Sequence, residues 1–295
     1  MSAITGNTST HGPESVFIGN ESPYIDVLDK HSRLQLIVAD RLGRKAREFF
    51  GSAFDYAKEN NIDLMSAKEY ISHPAPVDLI VVSGYPKLIP PRLIKHPRIA
   101  IINIHQSFLP AYRGKHPLNW VIINGEKYAG ITIHHINEKF DDGRIICQER
   151  VKINKTHTVM DIHWKTVAKG KVLLRRILKM IGRKELKGFR QDMTKASYYP
   201  PRTPREGRIV WHESAEQIIN RVRALVEPYP GAYFYYKRNR IVIDSAEVID
   251  IKTPGRGIGK PFVSGKHCVV RTGKGFVKIT GIRNQNIDLL KLVGA

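Results

Sequence analysis

An asparagine and a histidine two residues apart are the first candidates for chemistry in this sequence. Asn103 and His105 end the run IAIINIH, which begins at Ile99 and whose β-branched residues are typical of a buried strand. Because alternate residues of a strand share a face, the carboxamide and the imidazole are expected to point into the same space. Asp141 follows a second predicted strand, 130–136. An amide, an imidazole and a carboxylate in one pocket suit proton transfer combined with stabilisation of an oxyanion.

The elements that must position these residues alternate between strands and helices. Short apolar runs predict strands at 16–18, 34–39, 62–64, 77–82, 99–102, 130–136 and 145–151. Apolar residues at helical spacing predict helices at 44–60, 117–124 and 158–180. This alternation predicts a doubly wound, mostly parallel α/β domain over residues 15–182, preceded by a flexible leader, 1–14. Such sheets bind their ligands at the carboxyl ends of the strands, where Asn103 and His105 are expected.

The composition changes after residue 182. Residues 183–208 are rich in Lys, Arg, Pro and Gly, which predicts an irregular linker. Residues 209–295 begin with an amphipathic helix and continue with short strand candidates separated by turn signals. This pattern predicts a smaller β-rich domain, similar to a barrel of the oligonucleotide/oligosaccharide-binding type.

Charge and cysteine content limit the kinds of partner and compartment. The chain of 295 residues has a net charge of +21, which indicates an anionic partner such as nucleic acid, a nucleotide-linked substrate or a polyglutamylated cofactor. A solvated, lysine-rich surface is the plainer alternative. Two cysteines are too few for a disulfide framework and fit a reducing compartment. With no secretory signal and no apolar run near the roughly 20 residues of a membrane helix, we expect a cytoplasmic protein without a membrane partner.

Three ordered motifs surround the candidate residues. The first is N-x-H-x-S-x-L-P-x-x-R-G, from Asn103 to Gly114. It is followed by G-x-T-x-H, from Gly130 to His134, and by D-x-G-x-I, from Asp141 to Ile145. Together these motifs resemble the formyltransferases that use 10-formyltetrahydrofolate. The later segment RTPREGRIVW is similar to the linker of the branch that acts on amino sugars.

The resemblance implies roles for particular residues. Asn103, His105 and Asp141 would be catalytic: His105 as general base, since an imidazole pKa near 6.5 suits removal of an ammonium proton, Asn103 as oxyanion donor and Asp141 as the group that orients the imidazole. Asp142 competes with Asp141, and the D-x-G-x-I register favours Asp141. The residues implied to hold the folate are Ser83, Gly84, Tyr85, Lys87, Leu88, Ile89, Asn137, Phe140 and Asp141. Those assigned to the amine substrate are Ser107, Arg113 and Lys115, and no metal is expected.

The identity of the amine stays open at this point. One hypothesis is a nucleotide-diphosphate amino sugar, whose phosphates suit arginine forks. A second is methionyl-tRNA, because a basic second domain is suited to binding RNA backbone. A third, from another class, is a non-catalytic nucleic-acid-binding protein, for which the aromatic and basic residues of AYFYYKRNR give some support. A homodimer formed through the second domain is a further expectation.

Overall fold

The structure is a computed structural model that describes residues 12–181, 186–251 and 257–294. The chain divides into two compact units. The first unit consists of residues 1–113, 130–150 and 165–198, and the second of residues 114–129, 151–164 and 199–295. The division is therefore discontinuous along the chain, whereas the change in composition after residue 182 predicts consecutive domains.

Strands and helices alternate in the first part of the chain, and strands predominate after residue 230. The strands are β1 (Glu14–Ile18), β2 (Arg33–Val38), β3 (Asp63–Met65), β4 (Leu79–Val82), β5 (Ala100–His105), β6 (Arg113–Gly114), β7 (Tyr128–His135), β8 (Ile145–Lys152), β9 (Tyr198–Tyr199), β10 (Ala232–Tyr236), β11 (Asn239–Ile249), β12 (Pro261–Ser264), β13 (His267–Arg271) and β14 (Phe276–Ile282). The helices are α1 (Ile25–His31), α2 (Arg44–Phe50), α3 (Ala53–Glu59), α4 (Ala67–Ser72), α5 (Pro91–Ile94), α6 (Pro117–Ile123), α7 (Val159–Met180), α8 (Ala215–Ala224) and α9 (Leu289–Gly294).

Seven strands form the main sheet, in the order β3-β2-β1-β4-β5-β7-β8. The pairs β2–β3, β1–β2, β1–β4 and β4–β5 are parallel, and β5–β7 is antiparallel. The predicted doubly wound, mostly parallel α/β sheet is thus confirmed. Alternate residues of its strands pack into two separate apolar clusters: Phe17, Ile37, Leu79 and Val81 belong to one, and Val16, Ile18, Leu36 and Ile80 to the other. Burial on both faces explains why these strands read as continuous apolar runs.

The single helix predicted over 44–60 is wrong, because two helices, α2 and α3, occupy this stretch. The backbone turns at Gly51, which adopts φ 71° and lies so close to Ser22 that a Cβ would stand 2.1 Å from the Ser22 Oγ. Glycine tolerates this left-handed conformation and close approach. Ser52 then caps α3 by accepting a hydrogen bond from the Asp55 amide.

The second unit contains a five-stranded antiparallel sheet in the order β10-β11-β14-β13-β12. Helix α8 begins with a capping box between Ser214 and Gln217 and buries Ile218 and Val222. The predicted smaller β-rich domain is therefore confirmed. Within the described ranges, no helix has both the length and the apolar composition required to cross a membrane.

The predicted leader and the predicted linker fall partly outside the described residues. Residues 1–11 of the leader and residues 183–185 of the linker are not among those described. Glu14, the last residue assigned to the leader, already belongs to β1. The described part of the predicted linker contains the short strand β9 and two 3₁₀ turns, at Met193–Lys195 and Pro204–Gly207.

Candidate active site

Two neighbouring strands of the main sheet, β5 and β7, bring four polar side chains together. In the antiparallel β5–β7 pair, Asn103 lies opposite His134 and His105 lies opposite Thr132. Residues two apart share a face, so the N-x-H end of β5 and the T-x-H end of β7 form one polar patch. His105 is 8% exposed and His134 is 2% exposed. The patch is therefore largely withdrawn from solvent.

Asp141 reaches this patch from the turn that follows β7. Its Oδ1 lies 3.3 Å from the Asn103 Nδ2, 3.5 Å from the His105 Nδ1 and 3.6 Å from the His134 Nε2. The Asp141 backbone has φ 52°, a left-handed conformation that aspartate tolerates better than most residues. The structure thus brings Asn103, His105 and Asp141 to one point, and it places Asp141 rather than Asp142 there.

The hydrogen bond at the far side of His105 fixes which ring nitrogen is available. The His105 Nε2 lies 3.0 Å from the carbonyl oxygen of Tyr112, and a carbonyl oxygen only accepts. Nε2 therefore carries a hydrogen and donates it. In the neutral ring the lone pair is then on Nδ1, the atom that faces Asp141. A hydrogen on Nδ1 would therefore face the carboxylate of Asp141.

A charged brace holds the turn that carries Asp141. The Arg113 guanidinium is buried and donates to the Asp142 Oδ1 at 2.7 Å and to the Gln191 Oε1 at 2.7 Å. The Gln191 Nε2 in turn donates to the carbonyl oxygens of Asp141 and Gly143, at 2.8 Å each. Arg113 and Gln191 therefore fix the backbone on both sides of Asp142.

The remaining motif positions build the frame around the patch. A Cβ at Gly130 would stand 2.5 Å from Phe108, so glycine there lets the loop after β5 pass over β7. Thr132 donates to the Ser107 carbonyl at 2.7 Å and accepts from the Leu109 amide at 3.2 Å, which ties down the same loop. The hydroxyl of Ser107 donates to the Ala111 carbonyl.

The loop predicted to hold the folate begins at the end of β4, next to β5 in the sheet. Ser83 is buried and its amide donates to the Ile18 carbonyl, whereas Gly84 adopts φ 65° and is exposed. Lys87 is exposed, Leu88 is 47% exposed and Tyr85 is partly buried. Ile89 packs into one of the core clusters. Of the three apolar side chains of this loop that are implied to hold the folate, Tyr85, Leu88 and Ile89, that of Leu88 is the most exposed.

The turn 137–141 supplies the other residues expected to contact the folate. Asn137 accepts a hydrogen bond from the Lys139 amide and donates to the Asp142 Oδ2, so its side chain shapes the turn. Phe140 is 39% exposed. Whether these residues contact a folate stays a prediction.

The three residues expected to bind the amine substrate are placed differently from one another. Ser107 is fully buried and bonded to its own loop, and Arg113 is occupied by the brace described above. Lys115 belongs to the second compact unit, where its amide donates to the Tyr199 carbonyl. The geometry of Ser107 and Arg113 favours a role in positioning the loops over a direct contact with phosphate.

From the sequence, His134 was expected either to support the pocket from its strand or to pack in the core, whereas other residues of the site were assigned no role. His134 and Thr132 carried a signal, since both alternate with apolar residues along a predicted strand. Gln191 carried none, because a lone glutamine in a basic, irregular stretch has no pattern that indicates a partner. Another unpredicted feature is Glu21, in the turn after β1: burial raises the pKa of its carboxyl to about 7. Its Oε2 would lie 3.6 Å from a Cβ placed on Gly84.

A doubly wound sheet with an amide donor, an imidazole and a carboxylate close together at its strand ends has the groups that proton transfer at a carbonyl centre requires. Comparison with known proteins gives the family. The pattern of the formyl transferase family matches residues 40–178, and that of the formyl transferase C-terminal domain matches residues 202–292. The chain belongs to the formyl transferase family.

A curated relative shares only part of its length with this chain. The bifunctional polymyxin resistance protein ArnA of Wigglesworthia glossinidia brevipalpis is 36% identical over 197 residues, which cover 66% of this chain and 30% of that protein. The chain therefore spans less than a third of the length of this relative.

Solved structures share the fold over nearly the whole chain. The sugar 3N-formyl transferase WlaRD, crystallised with dTDP and 5-N-formyl-THF, has a TM-score of 0.72 at 18% identity and covers 93% of this chain and 99% of its own. An N-formyltransferase from Helicobacter canadensis, crystallised with folinic acid and dTDP-3-aminofucose, has a TM-score of 0.73 at 18% identity and covers 91% and 98%. HypX from Aquifex aeolicus with tetrahydrofolic acid has a TM-score of 0.64 at 16% identity and covers 93% and 44%.

Proposed function

We propose that this enzyme transfers the formyl group of 10-formyltetrahydrofolate to the primary amine of a nucleotide-linked amino sugar. The observation that carries the proposal is the convergence of Asn103 and His105 on one carboxylate oxygen of Asp141, at 3.3 and 3.5 Å. The family membership supports formyl transfer, and the folates bound to the similar structures support the donor. The folate, when bound, supplies an activated formyl group on N10.

Each of the three side chains has a step that its geometry suits. The His105 Nδ1 takes a proton from the amine as the amine nitrogen bonds to the formyl carbon. An N–H of Asn103 and the protonated imidazole stabilise the negative charge that develops on the formyl oxygen. Asp141 stabilises the charged ring at 3.5 Å. When the bond between the formyl carbon and N10 breaks, His105 returns the proton to N10, and the products are a formamide and tetrahydrofolate.

Exposed apolar residues near the proposed catalytic groups support a folate held beside them. The exposed Gly84 and the 47% exposed Leu88 follow β4, and the 39% exposed Phe140 directly precedes Asp141. These residues flank the ends of the strands that carry the catalytic groups. Ser83, Tyr85, Lys87, Ile89 and Asn137 complete the set that the family resemblance assigns to the folate. In the described ranges no group of three or more His, Cys, Asp or Glu side chains has a geometry suited to a metal ion.

The sugar acceptor is favoured because the similar structures include sugar N-formyltransferases, two of them crystallised with dTDP or a dTDP-amino sugar. Arg113 is paired with Asp142, so other cations are needed to bind the diphosphate of the sugar nucleotide. Lys115 is partly exposed and stays a candidate. Methionyl-tRNA is the second candidate, and the net charge of +21 is the observation in its favour.

The test offers the purified protein 10-formyltetrahydrofolate with one acceptor at a time. The acceptors are dTDP- and UDP-linked amino sugars and charged initiator tRNA, and the products are identified by mass. We expect a formylated nucleotide sugar. Formylation of methionyl-tRNA alone would reject the sugar assignment, and salt-sensitive RNA binding without any formyl product would favour the nucleic-acid-binding hypothesis. Sedimentation of the same sample tests the expected homodimer.

A further inference from the structure

His134 is a buried histidine in direct contact with one of the proposed catalytic groups. It lies opposite Asn103 in the β5–β7 pair, and its Nε2 is 3.1 Å from the Asn103 Nδ2. Its other ring nitrogen, Nδ1, is 2.8 Å from the carbonyl oxygen of His135. Both nitrogens of the ring therefore have partners inside the protein, and the ring has a defined orientation.

The partner of Nδ1 determines what Nε2 can do. A backbone carbonyl oxygen has no hydrogen to give, so the His134 Nδ1 carries the hydrogen of this bond. In the neutral ring, Nε2 then holds a lone pair and accepts. A carboxamide facing such an acceptor must present its NH₂ group, because its oxygen would be repelled. The ring thus decides which end of the Asn103 carboxamide is turned toward it.

We propose that His134 is a positioning residue that anchors one N–H of Asn103 so that the other N–H points at the formyl oxygen. The second N–H is now directed at the Asp141 Oδ1 over 3.3 Å, a long contact that an oxyanion can replace. In the opposite orientation the Asn103 oxygen would face both the Asp141 carboxylate and the developing negative charge. This proposal rests on the proposed function for its effect on rate.

The packing of Gly143 gives independent support, because Gly143 lies against the His135 carbonyl that accepts the hydrogen bond from the His134 ring. A Cβ at Gly143 would stand 1.6 Å from the His135 carbonyl oxygen and 3.5 Å from the His134 Nδ1. The D-x-G-x-I turn therefore packs directly on the hydrogen bond that sets the state of the ring. The ionisable groups facing His134 are Asp141, at 3.6 Å, and His105, with 6.5 Å between the ring centroids.

The kinetic test replaces His134 and asks whether the effect passes through Asn103. We expect His134→Leu to lower kcat by about 10- to 100-fold, less than the loss of an oxyanion donor, and to change both KM values by less than about threefold. His134→Gln, whose amide oxygen accepts from Asn103, should recover most of the rate. In an Asn103→Ala background, His134→Leu should cost almost nothing more. An equal loss in both backgrounds would show that His134 does not act through Asn103 and would overturn the proposal.

A second measurement does not depend on activity. Long-range ¹H–¹⁵N correlation spectra of the wild-type protein report which nitrogen of His134 is protonated, and we expect a hydrogen on Nδ1 and a bare Nε2 at neutral pH. A hydrogen on Nε2, alone or together with Nδ1, would refute the inference even if His134→Leu does not fold. If the spectra agree but no amine is formylated, the proposed function fails while the assignment of the ring stands.

Discussion

Glu21 provides a test of how this sheet edge responds to pH. Its carboxyl lies in the turn after β1, and burial raises its pKa from 4.5 to about 7. A group whose pKa is raised in the folded state favours folding only while it is protonated. Its contribution is therefore fully present below the unfolded value of 4.5 and is lost as the pH rises to about 7.

The size of the effect follows from the difference in pKa. A shift from 4.5 to about 7 corresponds to roughly 3 kcal/mol at 1.36 kcal/mol per unit, an upper limit because the side chain retains some exposure. Glu21→Gln keeps the shape of the side chain and removes its charge. We expect the variant to match the wild type at about pH 4 and to be more stable by up to roughly 3 kcal/mol at about pH 8.

The assay is equilibrium urea unfolding across this pH range, with the difference between variant and wild type as the readout. Because both proteins share all other titrating groups, the difference isolates Glu21. Glu59→Gln, at the exposed end of α3, removes the same charge and is the matched control. A Glu21→Gln difference that stays constant with pH, or one that Glu59→Gln reproduces, would refute the reasoning from burial.

Three further predictions concern the candidate site. His105→Ala should lower kcat/KM for formyl transfer by about 10²- to 10⁴-fold, while the exposed His73→Ala should leave it unchanged; retained turnover in steady-state assays would exclude His105 as the base. Arg113→Met should lower the free energy of unfolding by about 3 kcal/mol in urea titrations near neutral pH, because it leaves the partly buried Asp142 without its cation. An Arg113→Met protein of wild-type stability that has only lost affinity for the sugar nucleotide would restore the phosphate-binding role. Gly143→Ala should cost about 3 kcal/mol or more in thermal or urea unfolding, since its Cβ would overlap the His135 carbonyl at 1.6 Å, and an unaffected protein would contradict this packing.

The sequence predicted the strands of the main sheet well because strands that are buried on both faces appear in the sequence as continuous apolar runs. Strand β5 reads as a β-branched run, and the residues at its end are the proposed catalytic residues Asn103 and His105. What the sequence does not record is which strands are neighbours. The antiparallel pairing of β5 with β7 is determined by the tertiary structure, and this pairing places His134 opposite Asn103. The contact between these two side chains was therefore outside the reach of a pattern in either strand.

Arg113 shows a second limit of prediction from sequence. A conspicuous arginine beside a catalytic loop suggests a phosphate contact, because arginine forks suit phosphate. The same fork also suits a carboxylate, and the structure pairs it with Asp142 at 2.7 Å. Gln191, which accepts a second hydrogen bond from the Arg113 guanidinium, lies 78 residues further along the chain. No local signal distinguishes these two uses of one residue type.

Two sets of contacts hold Asp141 from opposite sides, and together they explain why the motifs contain more residues than the chemistry needs. Arg113 and Gln191 fix the turn through Asp142 and the backbone carbonyls, whereas Gly143 packs on the His135 carbonyl that orients His134. A left-handed aspartate needs such support, because its conformation is rarely populated without it. Contacts within the protein thus hold the geometry of the proposed catalytic groups, as a site that stabilises developing charge requires. Because Arg113 is part of this frame, we expect that, under the proposed function, the cations that bind the sugar nucleotide lie elsewhere in this strongly basic chain.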